Sequence, residues 1–318
     1  MKTVAVTGGA GFVGTNLVRA LLERGYEVTV LDDLSTGLKT NLEGLRCRFH
    51  LHSLTDFPRV HKSLEGCDYI FHLAARGSVP RSIKNPRATL EVNVIGTFNV
   101  LESARITGTP VAFSSSSSVY GLNETLPKSE DMWVAPLTPY GASKLSGEAL
   151  MHSYAISYGL QILTYRFFNI FGPWQRPDHD YAAVIPKWIW KLINGQRIEI
   201  FGDGEHSRDF TYIETVISVL IDGMKSNLSH PSPINLAFGS RITLNQLVSI
   251  LKKSFPALES IHQDNRIGDV RNSQNDPKLL RSIFPDIEPI DFETSIARTL
   301  DWYRTQGTSI ANGPKVLD

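Results

Sequence analysis

From residue 3 to residue 167 the chain repeats one alternation, a short and nearly unbroken apolar run followed by a longer stretch with apolar positions at helical spacing. The apolar runs predict strands over 3–7, 27–31, 47–51, 69–73, 111–114 and 161–167. The periodic stretches predict helices that include 12–24, 86–107 and 140–158. Strands that are apolar along their whole length are covered on both faces, and strand–helix alternation makes them parallel. The expected fold is therefore α/β, a doubly wound parallel sheet. Beyond Phe168 the pattern is less regular, richer in Pro, Trp and charge. Another strand–helix passage over 210–225 and a strand over 234–237 suggest that the chain rejoins the sheet. This divides it into 1–168 plus about 210–237, and a smaller mixed α/β unit of 169–209 plus 238–318.

Composition narrows the partners. The 318 residues carry 32 Lys and Arg against 32 Asp and Glu. With no net field to hold a polyanion, nucleic acid is not an expected partner. Cys47 and Cys67 lack metal-ligand or redox spacing, so neither a disulfide framework nor a metal is expected, and a reducing cytoplasm fits. No run approaches a membrane span of about 20 residues, and Met1-Lys2 leads straight into a strand without a signal-peptide apolar segment.

Between the first strand and helix stands TGGAGFVG, with Gly8, Gly11 and Gly14 at three-residue intervals. Such a loop lets backbone approach a pyrophosphate, whose charge then sits at a helix N-terminus. Asp32 ends the next strand, close to the expected 20 residues on. A carboxylate there accepts from ribose hydroxyls and repels a 2′-phosphate, which favours NAD over NADP.

Two further stretches carry chemistry. In TPYGASK, Tyr140 and Lys144 fall at i and i+4 near a helix start, hence on one face. A phenol, with a pKa of about 10, is a poor base near neutrality; a neighbouring ammonium and a positive nicotinamide ring would lower it. Alone, the pair describes ordinary surface neighbours. The run SSSSS at 114–118 changes the weighting. A serine run usually suggests a flexible linker, but this one continues the buried strand that begins at Val111, and buried backbone must stay paired. The hydroxyls thus lie at the carboxyl end of a strand, where open α/β sheets bind ligands.

Together, TGGAGFVG, Asp32, HLAA at 72–75, NVIGT at 93–97, SSSSSVYG and YGASK resemble the extended short-chain dehydrogenase/reductases, specifically the nucleotide-sugar epimerases and dehydratases. The resemblance spans nearly the whole chain. It implies a Rossmann domain holding NAD through Gly8, Gly11, Phe12, Val13, Gly14, Asp32, Leu54, Leu73, Ala74, Ala75, Asn93, Tyr140, Lys144 and Phe167. It assigns catalysis to Ser116, Tyr140 and Lys144. It implies substrate contacts from Ser78, Arg81, Ser117, Ser118, Asn169, Arg176, Ala183, Val184, Ile185, Arg208, Arg266, Asp269 and Ser273. Many relatives carry Gly-Asp before an apolar residue where this chain has His52-Ser53-Leu54, so Ser53 is left to meet the adenine. YAAVIPKW at 181–188 resembles the nucleobase segment of relatives using UDP sugars.

Serines stand where dehydratases carry an Asp-Glu pair and decarboxylases a Glu, which leaves elimination without an obvious proton donor. The expected reaction is 4-epimerisation of a UDP-sugar through a transient 4-keto intermediate. Ser273, where some relatives have a bulky Tyr, leaves room for N-acetyl and points to UDP-GlcNAc/UDP-GalNAc, with UDP-Glc/UDP-Gal also accommodated. Arg176, in GPWQRPD, resembles the carboxylate-binding arginine of UDP-glucuronate 4-epimerases and keeps that alternative open. A dehydrogenase that releases its reduced cofactor and a non-catalytic dinucleotide sensor are the other readings. Helices 86–107 and 140–158 are apolar on more than one face, and the resemblance makes them the core of a homodimer.

Overall fold

A computed structural model describes residues 1–177, 182–264 and 271–311, with side chains through 305. In chain order, the first unit runs β1 (Thr3–Thr7), α1 (Phe12–Glu23), β2 (Glu27–Asp32), β3 (Arg48–Leu51), α2 (Phe57–Leu64), β4 (Tyr69–His72), α3 (Val79–Lys84), α4 (Pro86–Leu90), a π turn (Glu91–Ile95), α5 (Gly96–Thr107), β5 (Val111–Ser116), α6 (Pro139–Tyr158) and β6 (Ile162–Phe167). There follow β7 (Asn169–Phe171), α7 (Val184–Ile193), β8 (Ile198–Phe201), β9 (Ser207–Arg208), β10 (Phe210–Tyr212), α8 (Ile213–Lys225) and β11 (Ile234–Leu236). The chain ends with β12 (Ile242–Thr243), α9 (Leu244–Ser254), β13 (Ser260–Gln263), α10 (Lys278–Ile283) and α11 (Phe292–Ala311).

The central sheet has seven strands in the order β11-β6-β5-β4-β1-β2-β3, and every pairing in it is parallel. The order reverses between β1 and β4, which opens a crevice at the carboxyl ends of the strands. Alternation along β1 divides the core. Val4 and Val6 join one apolar cluster with α1, α7, α8 and α11, and Ala5 joins the other with α2, α5 and α6. The expected doubly wound sheet is thus present, and β11 does return to its edge beside β6. The short pairs β7–β10, β9–β12 and β8–β13 form three two-stranded sheets outside the central one. Among the described residues no helix is long and apolar enough to cross a membrane.

Two elements differ from expectation where function is concentrated. The strand expected over 111–114 runs on to Ser116, so three of the five serines are strand residues, all buried. The helix expected over 86–107 is interrupted by the π turn at Glu91–Ile95. Such turns admit an extra residue and recur at functional sites. Here the turn carries Asn93, which is 2% exposed.

Candidate active site

The glycine loop is held by sterics that tolerate no side chain. Gly8 has φ +73°, and a Cβ on Gly14 would stand 2.1 Å from the Gly8 carbonyl oxygen. Gly11 caps α1 without a side-chain hydrogen bond, leaving the first-turn amides available to an anion. Asp32 is fixed by the amides of Ala10 (3.0 Å) and Leu34 (2.8 Å). Burial outweighs those bonds and pushes its carboxyl up to about 6.

The loop, Asp32, Leu54, Leu73, Ala74 and Ala75 line a cavity of about 450 Å³, joined there by Ser116, Tyr140, Lys144, Phe167, Arg81, Arg176 and Ala183. A second cavity of about 410 Å³ is lined by Asn169, Ala183, Val184, Ile185 and Arg208. The two share Phe168, Ile170, Gln175 and Ala183. Many of the residues assigned to cofactor and substrate, from Gly8 to Arg208, thus line two adjoining chambers.

Each serine of the run has a different task. Ser114 Oγ donates to the His72 carbonyl (3.3 Å), and Ser115 Oγ donates to Glu148 (2.5 Å). Ser116, at the strand end, accepts from the Ser118 amide (3.2 Å), donates to Ser118 Oγ (3.2 Å) and favours the ionised form of the Tyr140 phenol. Ser117 and Ser118 form the short helical turn that follows and do not line the first cavity.

The α6 helix begins at a Thr138 cap, whose hydroxyl accepts from the Gly141 amide (3.2 Å). This fixes the first turn, with Tyr140 and Lys144 on the cavity side. Lys144 Nζ donates to the Ser114 carbonyl at 2.7 Å and lies 5.0 Å from the centre of the Phe113 ring. Lys144 was expected to depress the Tyr140 phenol. In the structure burial pushes that phenol up, opposed by the Ser116 bond, while burial brings Lys144 down to about 7 against the attraction of Glu148. The tyrosine by itself is therefore not a ready base.

Several expected contacts are placed elsewhere. Ser53 Oγ closes a local turn with Thr55 (3.0 Å), and the cavity wall is formed by its neighbours His52 and Leu54. Ser78 caps α3 through the Arg81 amide (3.3 Å), leaving Gly77 and Arg81 in the wall. Asn93, expected to hold NAD, stands behind the wall, accepting from the Arg76 amide (2.8 Å) and donating to Ser143 Oγ (2.9 Å), so it orders the backbone there. Ser273 pairs through its amide with the Ser207 carbonyl (3.1 Å) and lines neither cavity. Arg266 and Asp269 lie outside the described residues.

Other residues complete the site without having been singled out. His72, fully buried, bridges Thr7 and Thr97 at 2.8 Å each, and burial followed by Lys144 holds it down to about 3, hence neutral. Thr7 Oγ1 also accepts from the Ala74 amide (3.2 Å). Asp209, beside Arg208, gathers the amides of Gly239, Ser240 and Asn275 at 2.9–3.1 Å. Trp174, at φ 69°, lies under the Arg19 guanidinium (4.1 Å) and against Trp302, anchoring the loop that brings Arg176 to the wall. A buried His between two Thr reads in sequence as ordinary core, and the partners of Asp209 are 30 or more residues away.

A parallel sheet with a glycine loop at its reversal point, an acid at the end of β2 and a Ser-Tyr-Lys set across the crevice defines a dinucleotide-dependent enzyme of the short-chain dehydrogenase/reductase class. The model of the NAD dependent epimerase/dehydratase family matches residues 4–237, and the chain belongs to that family. It is 33% identical to a putative UDP-glucose 4-epimerase of Methanocaldococcus jannaschii, over 95% of this chain and 98% of that one. It is 31% identical to UDP-glucuronic acid decarboxylase 1 of Xenopus tropicalis, over 98% of this chain and 74% of the relative. The crystal structure of UDP-N-acetylglucosamine 4-epimerase from Methanobrevibacter ruminantium, in complex with UDP-N-acetylmuramic acid, superposes with a TM-score of 0.90 at 36% identity, covering 96% and 99% of the two chains.

NAD is the cofactor of this family, and the first cavity fits it. The crowding at Gly8 and Gly14 and the uncapped start of α1 suit a pyrophosphate, and Asp32, with Asp33 beside it, suits a ribose bearing no phosphate.

Proposed function

We propose that the protein is a UDP-sugar 4-epimerase, in which Tyr140 takes the proton of the sugar 4-hydroxyl and returns it after the ring has presented its other face. The observation that carries this reading is the convergence of Ser116, Tyr140 and Lys144 on the cavity that the glycine loop and Asp32 line. NAD bound there supplies the acceptor and donor of the C4 hydride. Ser116 favours the phenolate, and Lys144, anchored on the Ser114 carbonyl, supports it only in its ammonium form. The second cavity, adjoining the first, receives the nucleotide, with Asn169 and Arg208 toward the diphosphate and Ala183 to Ile185 toward the base.

UDP-GlcNAc/UDP-GalNAc is the sugar pair we favour, supported by the UDP-N-acetylglucosamine 4-epimerase neighbour; Ser273, which lines neither cavity, adds nothing to that choice. Arg176 in the wall of the first cavity supports UDP-glucuronate as the second reading. Incubation with UDP-Glc, UDP-GlcNAc, UDP-GlcA and UDP-Xyl, with products resolved by NMR, separates the two. Conversion of the N-acetyl pair is expected, and Tyr140→Phe should cut turnover by about 10²-fold or more. Turnover of UDP-GlcA alone would transfer the assignment to the uronate, and an unaffected Tyr140→Phe would remove the proton role.

The same reading includes a homodimer. Leu90, Ile95, Phe98 and Ile156 are 41–74% exposed on the neighbouring helices α4 to α6, an apolar face that a second copy would cover. Sedimentation should give a dimeric mass and Phe98→Glu a monomer; a monomeric wild-type protein would refute the assembly.

A further inference from the structure

Behind the catalytic wall lies an ion pair that the proposed chemistry does not use. Arg166, on β6, donates through Nε and Nη2 to the two carboxylate oxygens of Glu148 at 2.9 and 2.8 Å. Their side chains are only 5% and 7% exposed. Ser115 Oγ donates to the same carboxylate, and Arg166 Nη1 donates to the Tyr120 phenolic oxygen (2.9 Å). Tyr120 in turn donates to Asn235 Oδ1 on β11 (2.8 Å). The cluster is fully bonded and rigid.

Glu148 stands one helical turn beyond Lys144, on the same side of α6. Lys144 is 3% exposed, and its ammonium donates to the Ser114 carbonyl. A buried ammonium without an opposite charge tends to lose its proton. The Glu148 carboxylate, buried one turn along the same helix, is the charge placed to oppose that loss. A buried ion pair adds little net stability, but in a weakly screened interior its two ends act with opposite sign on a cation nearby.

We propose that Glu148 and Arg166 are positioning residues that set the charge on Lys144, the carboxylate holding it as an ammonium and the guanidinium limiting that hold. Ser115 keeps the carboxylate turned toward Arg166. The other titratable groups around this region include Tyr140 on α6, His72 from β4, Arg81 from α3, and Tyr120, Lys128 and Glu130 from the segment after β5. His72 is held neutral, so its charge does not change near neutral pH.

The inference rests on the epimerase reading only for its kinetic test. The pH dependence of kcat/KM is compared among wild type, Glu148→Gln and Arg166→Gln. In Glu148→Gln the uncompensated guanidinium should move the alkaline limb down by about one pH unit or more. In Arg166→Gln the freed carboxylate should move it up. A purely structural pair would lower the rate in both variants with the limb unmoved, and unmoved limbs or shifts of the same sign overturn the proposal. Glu148→Asp keeps the charge and should keep the limb near wild type even where kcat falls. NMR of ¹³Cε-labelled lysine, with the Lys144 signal assigned through Lys144→Met, reads the same opposite shifts without turnover. A wild-type protein inactive on every UDP-sugar would thus dispose of the epimerase reading and leave the lysine titration to decide this one.

Discussion

Asp32 is ionised against the preference of its surroundings. Burial raises its carboxyl to about 6, and the amides of Ala10 and Leu34 only partly offset this. Ribose hydroxyls donate to the charged form, so NAD should bind with constant affinity above that value and more weakly below it, by up to about tenfold per pH unit. Calorimetry on cofactor-free protein between about pH 5 and 8 checks this, and a flat Kd would exclude the ribose contact. Asp32 was legible because its place at the end of β2 follows from spacing alone. Ser53 was not, since a hydroxyl bonds equally to a ligand or to Thr55 two residues on, and composition does not choose. The serine run shows the same limit. Its five members are chemically identical, and only the geometry of β5 sends Ser114 to the His72 carbonyl, Ser115 to Glu148 and Ser116 to the cavity wall beside Tyr140.

Among elements, α6 matters most, since it carries Tyr140, Lys144 and Glu148. It presses on β5 at Gly147, where a Cβ would stand 2.4 Å from the Phe113 ring. Replacing Gly147 by Ala gains about 1 kcal/mol of helix propensity, while overpacking costs about 1–3 kcal/mol. The clash should win. Gly147→Ala is expected to lower the Tm and, by lifting α6 from β5, to reduce kcat; a raised Tm would mean that Phe113 yields freely. The strands of the first half were legible to within two residues because their apolar runs are bounded by glycine and polar turns. The π turn was not, because one extra residue leaves the apolar spacing of 86–107 nearly intact, and its signature is the inward bonding of Asn93.

At the scale of the molecule, the nucleotide half of the site was readable as a loop, an acid and a strand end close together in sequence. The substrate half was read mainly by resemblance, because it is assembled from distant segments, such as Ser207 against Asn272 and Asp209 against Asn275. The π turn connects these scales. The turn absorbs one residue beyond the α-helical count, so losing one from Glu91–Ile95 would let the stretch close as a continuous α-helix, with Thr97 still facing His72 and Phe98 still outside. What would go is the inward reach of Asn93 to the Arg76 amide and to Ser143: one deleted codon would loosen the backbone behind the cavity wall while leaving the outer face in place.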